Sequence, residues 1–490
     1  RKGANMDQPT LKTLGELKAS GYQPRSVRDE IRENLLVQAG KEENLFPGII
    51  GYENTVEPQL LTGLLARHDI LLLGLRGQAK TRLLRGLVRF LDPWVPVLEG
   101  SPLREDPMAP VLPHSQERID EMGDKTPITW MAREERFIEK LATPDATISD
   151  LIGDIDPIRA SRERLDLSDP KVIHFGIIPR SHRGLFCINE LPDLQPRIQV
   201  GLLNILEEKD IQIRGFPIRL ELDLQMLFTA NPEDYTNRGR IITPLKDRIA
   251  TQIITHYPKD REEIVEIFEQ EAKVSSDGGL EVPPLCKEVL AEISIQARQS
   301  DLVDQSSGVS ARLAITAYEL LVAQVERRRV LYGEVKDGFR LMDLYACLPA
   351  ISGKLELVFE GQETGAEAVA HRLIGQAIKA VFTSHFKGTG FEEGEDGSDQ
   401  WGKTLTWFNG GKELSLLESD SREVHRQKLK DVPGLEKAVV DHLNLEGDQL
   451  DLAMSLAVDG LHHFSLLGKD GLGGTVVYGD ALSDMMQDFD

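Results

Sequence analysis

Gly74-Leu-Arg-Gly-Gln-Ala-Lys-Thr81 is the stretch on which the fold turns. It follows the apolar run Ile70-Leu-Leu-Leu73 and opens a segment of helical character, so it reads as the turn between a buried strand and a helix. A glycine-rich turn in that place directs several backbone N–H groups into one concavity. The helix N-terminus adds partial positive charge, so phosphates settle there. Lys80 is placed to reach β- and γ-phosphates, and Thr81 to offer its hydroxyl to Mg²⁺. Gly74, Arg76, Gly77, Gln78 and Ala79 would line the cradle. Ala79 stands where the GxxxxGK[ST] pattern has its second glycine, and alanine is expected there only if the position keeps a negative φ. Taken alone, the stretch is also compatible with a chance strand–turn–helix.

Four later segments bear on that choice. Gly184-Leu-Phe-Cys-Ile-Asn-Glu-Leu191 is an apolar strand that ends in polar and acidic residues. P-loop enzymes place an acid at such a strand end to organise Mg²⁺ and its waters. Here Glu190 is present, but Asn189 precedes it where an aspartate is usual. An amide oxygen accepts a bond from a metal-bound water yet supplies no charge, so weaker Mg²⁺ organisation is expected. Met226-Leu-Phe-Thr-Ala-Asn-Pro-Glu-Asp234 ends another strand in Asn231, which either holds a water near the γ-phosphate or belongs to an ordinary Asn-Pro turn. Within Pro244-Leu-Lys-Asp-Arg-Ile249, Arg248 is either a cation acting on a neighbouring subunit's phosphates or one arm of a local salt bridge with Asp247 or Asp234. Finally Gly308-Val-Ser-Ala-Arg312 starts a helix with Ser310 as N-cap. Arg312 falls in its first turn, where a cation opposes the macrodipole unless an anion lies nearby.

Between about residue 45 and residue 258, short β-rich runs at 70–73, 95–97, 185–188 and 226–229 alternate with helical stretches. That alternation predicts a parallel sheet flanked by helices. Residues 1–44 read as a helical N-terminal segment, and Arg1–Asn5 as upstream sequence before Met6. Residues 259–386 become mainly helical, with segments at 261–272, 285–298, 311–329 and 366–382. Residues 387–400 are rich in acid and glycine and read as a linker, followed by a C-terminal region, 401–490, of no recognisable type.

Composition narrows the partners. With 57 basic and 80 acidic residues the formal charge is −23, a field that repels phosphate backbones and anionic lipid surfaces. No nucleic-acid partner and no membrane insertion are therefore expected, and no run approaches 18 apolar residues. Cys187, Cys286 and Cys347 fit neither a disulfide framework nor a zinc motif and read as core residues of a cytoplasmic protein. His462-His463 lacks the spacing of a metal pair and reads as packing.

Taken in order, these segments resemble AAA+ ATPases, and within them the MoxR-like and magnesium chelatase I-subunit branch. Supporting stretches are Leu141-Ala-Thr-Pro-Asp145, Asp150-Leu-Ile-Gly-Asp-Ile-Asp-Pro157, Ile188-Asn-Glu-Leu-Pro-Asp193 and Thr255-His-Tyr-Pro258. The resemblance spans roughly residues 45–386. It implies an α/β fold: an AAA+ P-loop αβα core with a parallel sheet, then a helical lid domain and a small C-terminal region. It also implies ATP and Mg²⁺ as cofactors and a homo-oligomeric ring, usually a hexamer. Lys80 and Thr81 would then be Walker A, Asn189 and Glu190 Walker B, Asn231 sensor 1, Arg248 the arginine finger and Arg312 sensor 2. Hairpin insertions are expected within 150–176 and at Ile211-Gln-Ile-Arg-Gly-Phe-Pro-Ile-Arg-Leu220. Relatives work with a von Willebrand A-type partner. The chain has no DxSxS pattern, so such a partner would be a separate protein. The expected activity is ATP hydrolysis coupled to remodelling of a partner protein or to metal insertion, with a nucleotide-gated scaffold as the alternative. A sigma-factor-remodelling activator is disfavoured, because neither a GAFTGA loop nor a helix-turn-helix is present and the net charge is negative.

Overall fold

The computed structural model describes residues 8–41, 44–166, 170–212, 219–231, 239–274, 280–333, 338–386, 398–472 and 474–481. The chain forms two compact units, Arg1–His256 and Tyr257–Asp490.

The first unit is built on five parallel strands: β1 (Ile70–Leu73), β2 (Phe137–Leu141), β3 (Gly184–Asn189), β4 (Leu224–Ala230) and β5 (Thr251–Ile254). Their spatial order is β5-β1-β4-β3-β2. The three inner strands are short, mostly apolar runs buried along nearly their whole length, as strands covered on both faces must be. Register aligns their ends: Leu73 lies beside both Ala230 of β4 and Ile254 of β5. The loop after β1 and the residues following β4 and β5 therefore emerge at one edge, where ligands of open α/β sheets bind.

Residues 95–97 form a strand, but not in this sheet. Trp94–Leu98 pairs antiparallel with Ile128–Ala132 in a separate ribbon, and the segment between them carries helix Pro113–Met122. The N-terminal helix Val27–Ala39 is locked to the core by a bidentate pair between Arg136 and Glu30, at 2.6 and 2.7 Å, with both side chains almost fully buried. Glu105, fully buried, accepts from the N–H groups of Val111 and Leu112 and from the hydroxyls of Ser101 and Ser115, holding the start of helix Pro113–Met122. Gly153–Ile155 pairs antiparallel with Ile173–Phe175, and Asp210–Gln212 with Arg219–Glu221. Both pairs fall where hairpins were expected, and the tip of the second lies outside the described residues.

In the second unit, helices Arg261–Glu271, Pro284–Gln299, Arg312–Tyr332 and Ala366–His385 pack around one core that runs from Ile264 to Tyr478. The C-terminal region is not separate from it. Trp401, Phe408, Leu452 and Leu461 belong to the same cluster, and a three-stranded antiparallel sheet in the order Leu414–Leu417, Thr475–Asp480, Leu467–Leu472 completes it. The expected linker is shorter than 387–400, because helix Ser398–Asn409 already begins within it. Residues 387–397 lie outside the described residues. Among the described residues, no helix is long and apolar enough to cross a membrane.

Candidate nucleotide site

The loop from Gly74 to Ala79 joins β1 to helix Lys80–Gly86. Lys80 is only 6% exposed, and its ammonium group turns back to donate to the Gly74 carbonyl and, at 2.9 Å, to that of Leu75. A buried cation solvated by two loop carbonyls is an ammonium already aimed into the loop's concavity. Gly74 is required by space: a Cβ there would lie 1.8 Å from Thr255 Oγ1 and 2.2 Å from Gln78 Oε1. Those two atoms bond to each other at 2.6 Å, and Tyr52 donates its hydroxyl to the Gln78 carbonyl at 2.8 Å. The loop is thus fastened to the end of β5 and to the segment before helix Val56–Leu65. Arg76 and Gly77 are exposed on its outer side.

Ala79 departs from expectation. Its φ is +53°, left-handed, and not the negative value foreseen for a non-glycine residue. The reversal of the loop requires a left-handed residue just before Lys80, so the alanine adopts it at a cost of about 1–2 kcal/mol.

At the end of β3, Thr81 donates its hydroxyl to Asn189 Oδ1 at 3.2 Å. Thr229 of β4 donates to the same oxygen at 3.3 Å, and the Cys187 thiol lies 3.6 Å from it. Glu190 follows in a left-handed conformation, φ +55°, with its N–H bonded to Thr229 Oγ1 at 3.1 Å. Strained backbone at a charged, half-buried residue marks a position that the surroundings hold in place. At the end of β4, Asn231 Oδ1 is buried with no hydrogen-bond partner among the described residues. A buried acceptor without a donor is unusual, and a water or ligand donor would satisfy it.

The two arginines are placed differently. Arg248 ends helix Thr243–Arg248 and pairs with Glu207 at 2.8 Å, while also donating to the Pro244 carbonyl at 3.1 Å. A local salt bridge therefore exists, with Glu207 where Asp247 was one foreseen partner; the other, Asp234, lies outside the described residues. Arg312, exposed, is the first residue of its helix in the second unit, and its N–H donates to Ser310 Oγ at 3.2 Å. The formal N-cap is Ala311, one residue later than expected.

Sequence reasoning missed Thr229, Thr255 and Tyr52. A signal for Thr229 was present: it is the one hydroxyl in a fully buried strand whose other polar residue, Gln225, lies near its start. Cys187 is buried as expected, with its thiol pushed up to about 12 by burial. His463 faces Asp459 at 3.5 Å within the second unit.

A phosphate-loop turn after the first strand, the order β5-β1-β4-β3-β2, and polar residues closing β3 and β4 beside that turn together decide the fold. The first unit is an AAA+-type P-loop αβα core. No family model matches the sequence, and no curated protein matches it. Among solved structures, the chain is similar to the BchI–BchD complex of magnesium chelatase, at 19% identity over 65% of this chain and 98% of that one, with a TM-score of 0.34. NtrX from Brucella abortus in complex with ADP gives 13% identity, coverage of 80% and 71%, and a TM-score of 0.38. A putative ATPase from Cytophaga hutchinsonii gives 15% identity, coverage of 73% and 97%, and a TM-score of 0.31. At these values the fold rests on this chain's own topology and loop.

The residues present fit nucleotide phosphates. The cradle has no room for a side chain at Gly74, and a buried ammonium faces it. For Mg²⁺ the fit is narrower. Thr81, having given its proton to Asn189, keeps lone pairs for a metal, whereas the Asn189 oxygen is already engaged.

Proposed function

We propose that this chain is an ATP hydrolase of the AAA+ type whose nucleotide cycle does work on a partner protein or on metal insertion. The buried Lys80 ammonium, held at the mouth of the loop by the Gly74 and Leu75 carbonyls, is the observation that carries this reading. On binding, the ammonium exchanges those carbonyls for β- and γ-phosphate oxygens, and the loop N–H groups, including those of Arg76, Gly77, Gln78 and Ala79, bond to the rest. Thr81 would hold Mg²⁺, with Asn189 behind it, and the ion would supply Lewis-acid assistance to the phosphoryl-transfer step. Glu190, at the end of β3, takes the proton of an attacking water, and the unpaired Asn231 oxygen orients that water. Arg248 leaves its exposed pair with Glu207, worth no more than about 1 kcal/mol, to face the phosphates of a neighbouring copy. Arg312 supplies a second cation. A ring of identical subunits, with six as the proposed number, and a separate von Willebrand A-type partner complete the proposal.

A second reading has its own support. The left-handed Ala79 and the uncharged Asn189 both weaken catalysis more than binding, which suits a scaffold that assembles on ATP and seldom hydrolyses it. Steady-state phosphate release by purified protein with MgATP separates the two. The hydrolase reading expects turnover that Glu190→Gln lowers by about 100-fold or more. No turnover, with ring formation equal in ATP and in a non-hydrolysable analogue, leaves the scaffold.

A further inference from the structure

We propose that this site holds ATP with little help from a divalent cation, because the side chain that would organise the cation's waters is committed to the protein. The inference rests on the nucleotide reading above and concerns Asn189. An amide oxygen has two lone pairs. In this structure it receives hydroxyl protons from Thr81 at 3.2 Å and Thr229 at 3.3 Å, with the Cys187 thiol at 3.6 Å. Both lone pairs face protein hydroxyls, so a metal-bound water would have to compete with them, and the amide nitrogen only donates. The three donors come from three elements: Thr81 from the helix after the loop, Thr229 from β4 and Cys187 from β3 itself. The packing of the core therefore sets this arrangement, independently of any ligand.

A carboxylate at position 189 would behave differently. Its two oxygens offer about four acceptor sites, so it would keep the Thr81 and Thr229 bonds and still accept from water, while adding a negative charge beside Thr81, the residue that would hold the metal. The present residue removes both the charge and the spare acceptors. Neutralising the triphosphate then falls to Lys80, whose ammonium is buried beside the loop, and to the backbone N–H groups at the helix start. Nucleotide affinity should follow those groups and be nearly indifferent to magnesium.

The test is calorimetric titration of the full chain with ATP, once in magnesium chloride and once in EDTA. For the wild-type protein the two dissociation constants should agree within about threefold, less than 1 kcal/mol. For Asn189→Asp, affinity in magnesium should exceed that in EDTA by about tenfold or more, since added negative charge disfavours the naked triphosphate and favours its metal complex. A wild-type protein that binds in magnesium but loses tenfold or more in EDTA overturns the inference and leaves the nucleotide reading standing. Absence of binding in both buffers overturns the nucleotide reading and the inference with it.

Discussion

Ala79 and Gly74 show how single residues set the loop. A left-handed alanine costs about 1–2 kcal/mol, whereas glycine at such a φ carries only its greater chain entropy, about 0.5–1 kcal/mol. Ala79→Gly should therefore raise the stability of the first unit by up to about 1 kcal/mol in urea unfolding, and a clear loss would show that the alanine is not strained. At Gly74 the sign is opposite. A methyl group would overlap Thr255 and Gln78, so Gly74→Ala should break the bond between them and weaken ATP binding by about tenfold or more in the same calorimeter. At this scale the sequence was legible for Lys80, Thr81, Asn189, Glu190 and Asn231, because each follows a recognisable apolar strand or a glycine turn. Thr255 and Tyr52 were not, since Thr255 meets Gln78 and the Tyr52 hydroxyl also donates to the His256 carbonyl across 177 and 204 residues of sequence, and no local pattern records such a meeting. The conformation of Ala79 was misread because the motif fixes which residue is usual and leaves open which φ the loop will impose.

Elements were read in proportion to their burial. Strands β1, β3 and β4 are mostly apolar and buried and stood out, whereas the edge strands β2 and β5 carry charged or polar positions such as Glu139, Lys140 and the exposed Gln252 and resemble loops. Residues 95–97 gave a strand of the right length, but length and apolarity do not say which sheet a strand joins. Two predictions belong here. The Arg136–Glu30 pair fixes helix Val27–Ala39 to the residues just before β2, and both partners are nearly water-free. Glu30→Gln should cost about 3–5 kcal/mol in chemical denaturation by stranding a buried guanidinium. A loss below 1 kcal/mol would mean that water reaches the pair. Glu57, near the start of helix Val56–Leu65, is 8% exposed, and burial pushes its carboxyl up to about 7, with the neighbouring Glu53 charge adding to the effect. A carboxyl with a raised folded-state pKa stabilises the fold fully below its unfolded value, near 4.5, and loses that contribution as pH rises through about 7. Glu57→Gln should thus gain stability relative to wild type between pH 5 and 8, by about 1–3 kcal/mol at the upper end. Parallel pH profiles for the two proteins would contradict this.

At the scale of the whole molecule, the sequence divided the chain more finely than its cores do. The acidic, glycine-rich stretch looked like a boundary. Yet Trp401 and Phe408 beyond it share one cluster with Phe382 and Phe386 before it, and aromatic packing across a stretch of chain leaves no mark on local composition. The net charge of −23 spreads over the molecule while the loop concentrates a cation, which favours a single anionic ligand over a polyanionic surface partner. If copies assemble around ATP, Arg248→Ala should leave nucleotide affinity within about twofold and lower turnover by about 10³-fold, because its guanidinium would act only across the junction between copies. Equal losses in both would place Arg248 in its own subunit's site. The central claim, that the turn after β1 is a nucleotide-phosphate cradle closed by Lys80, is tested most directly by calorimetric titration of the wild-type chain and of Lys80→Ala with ATP. The account predicts one ATP per chain for the wild type and affinity weakened by about 100-fold or more in the variant. Wild-type protein that takes up no ATP, or a variant that binds it equally well, would contradict it.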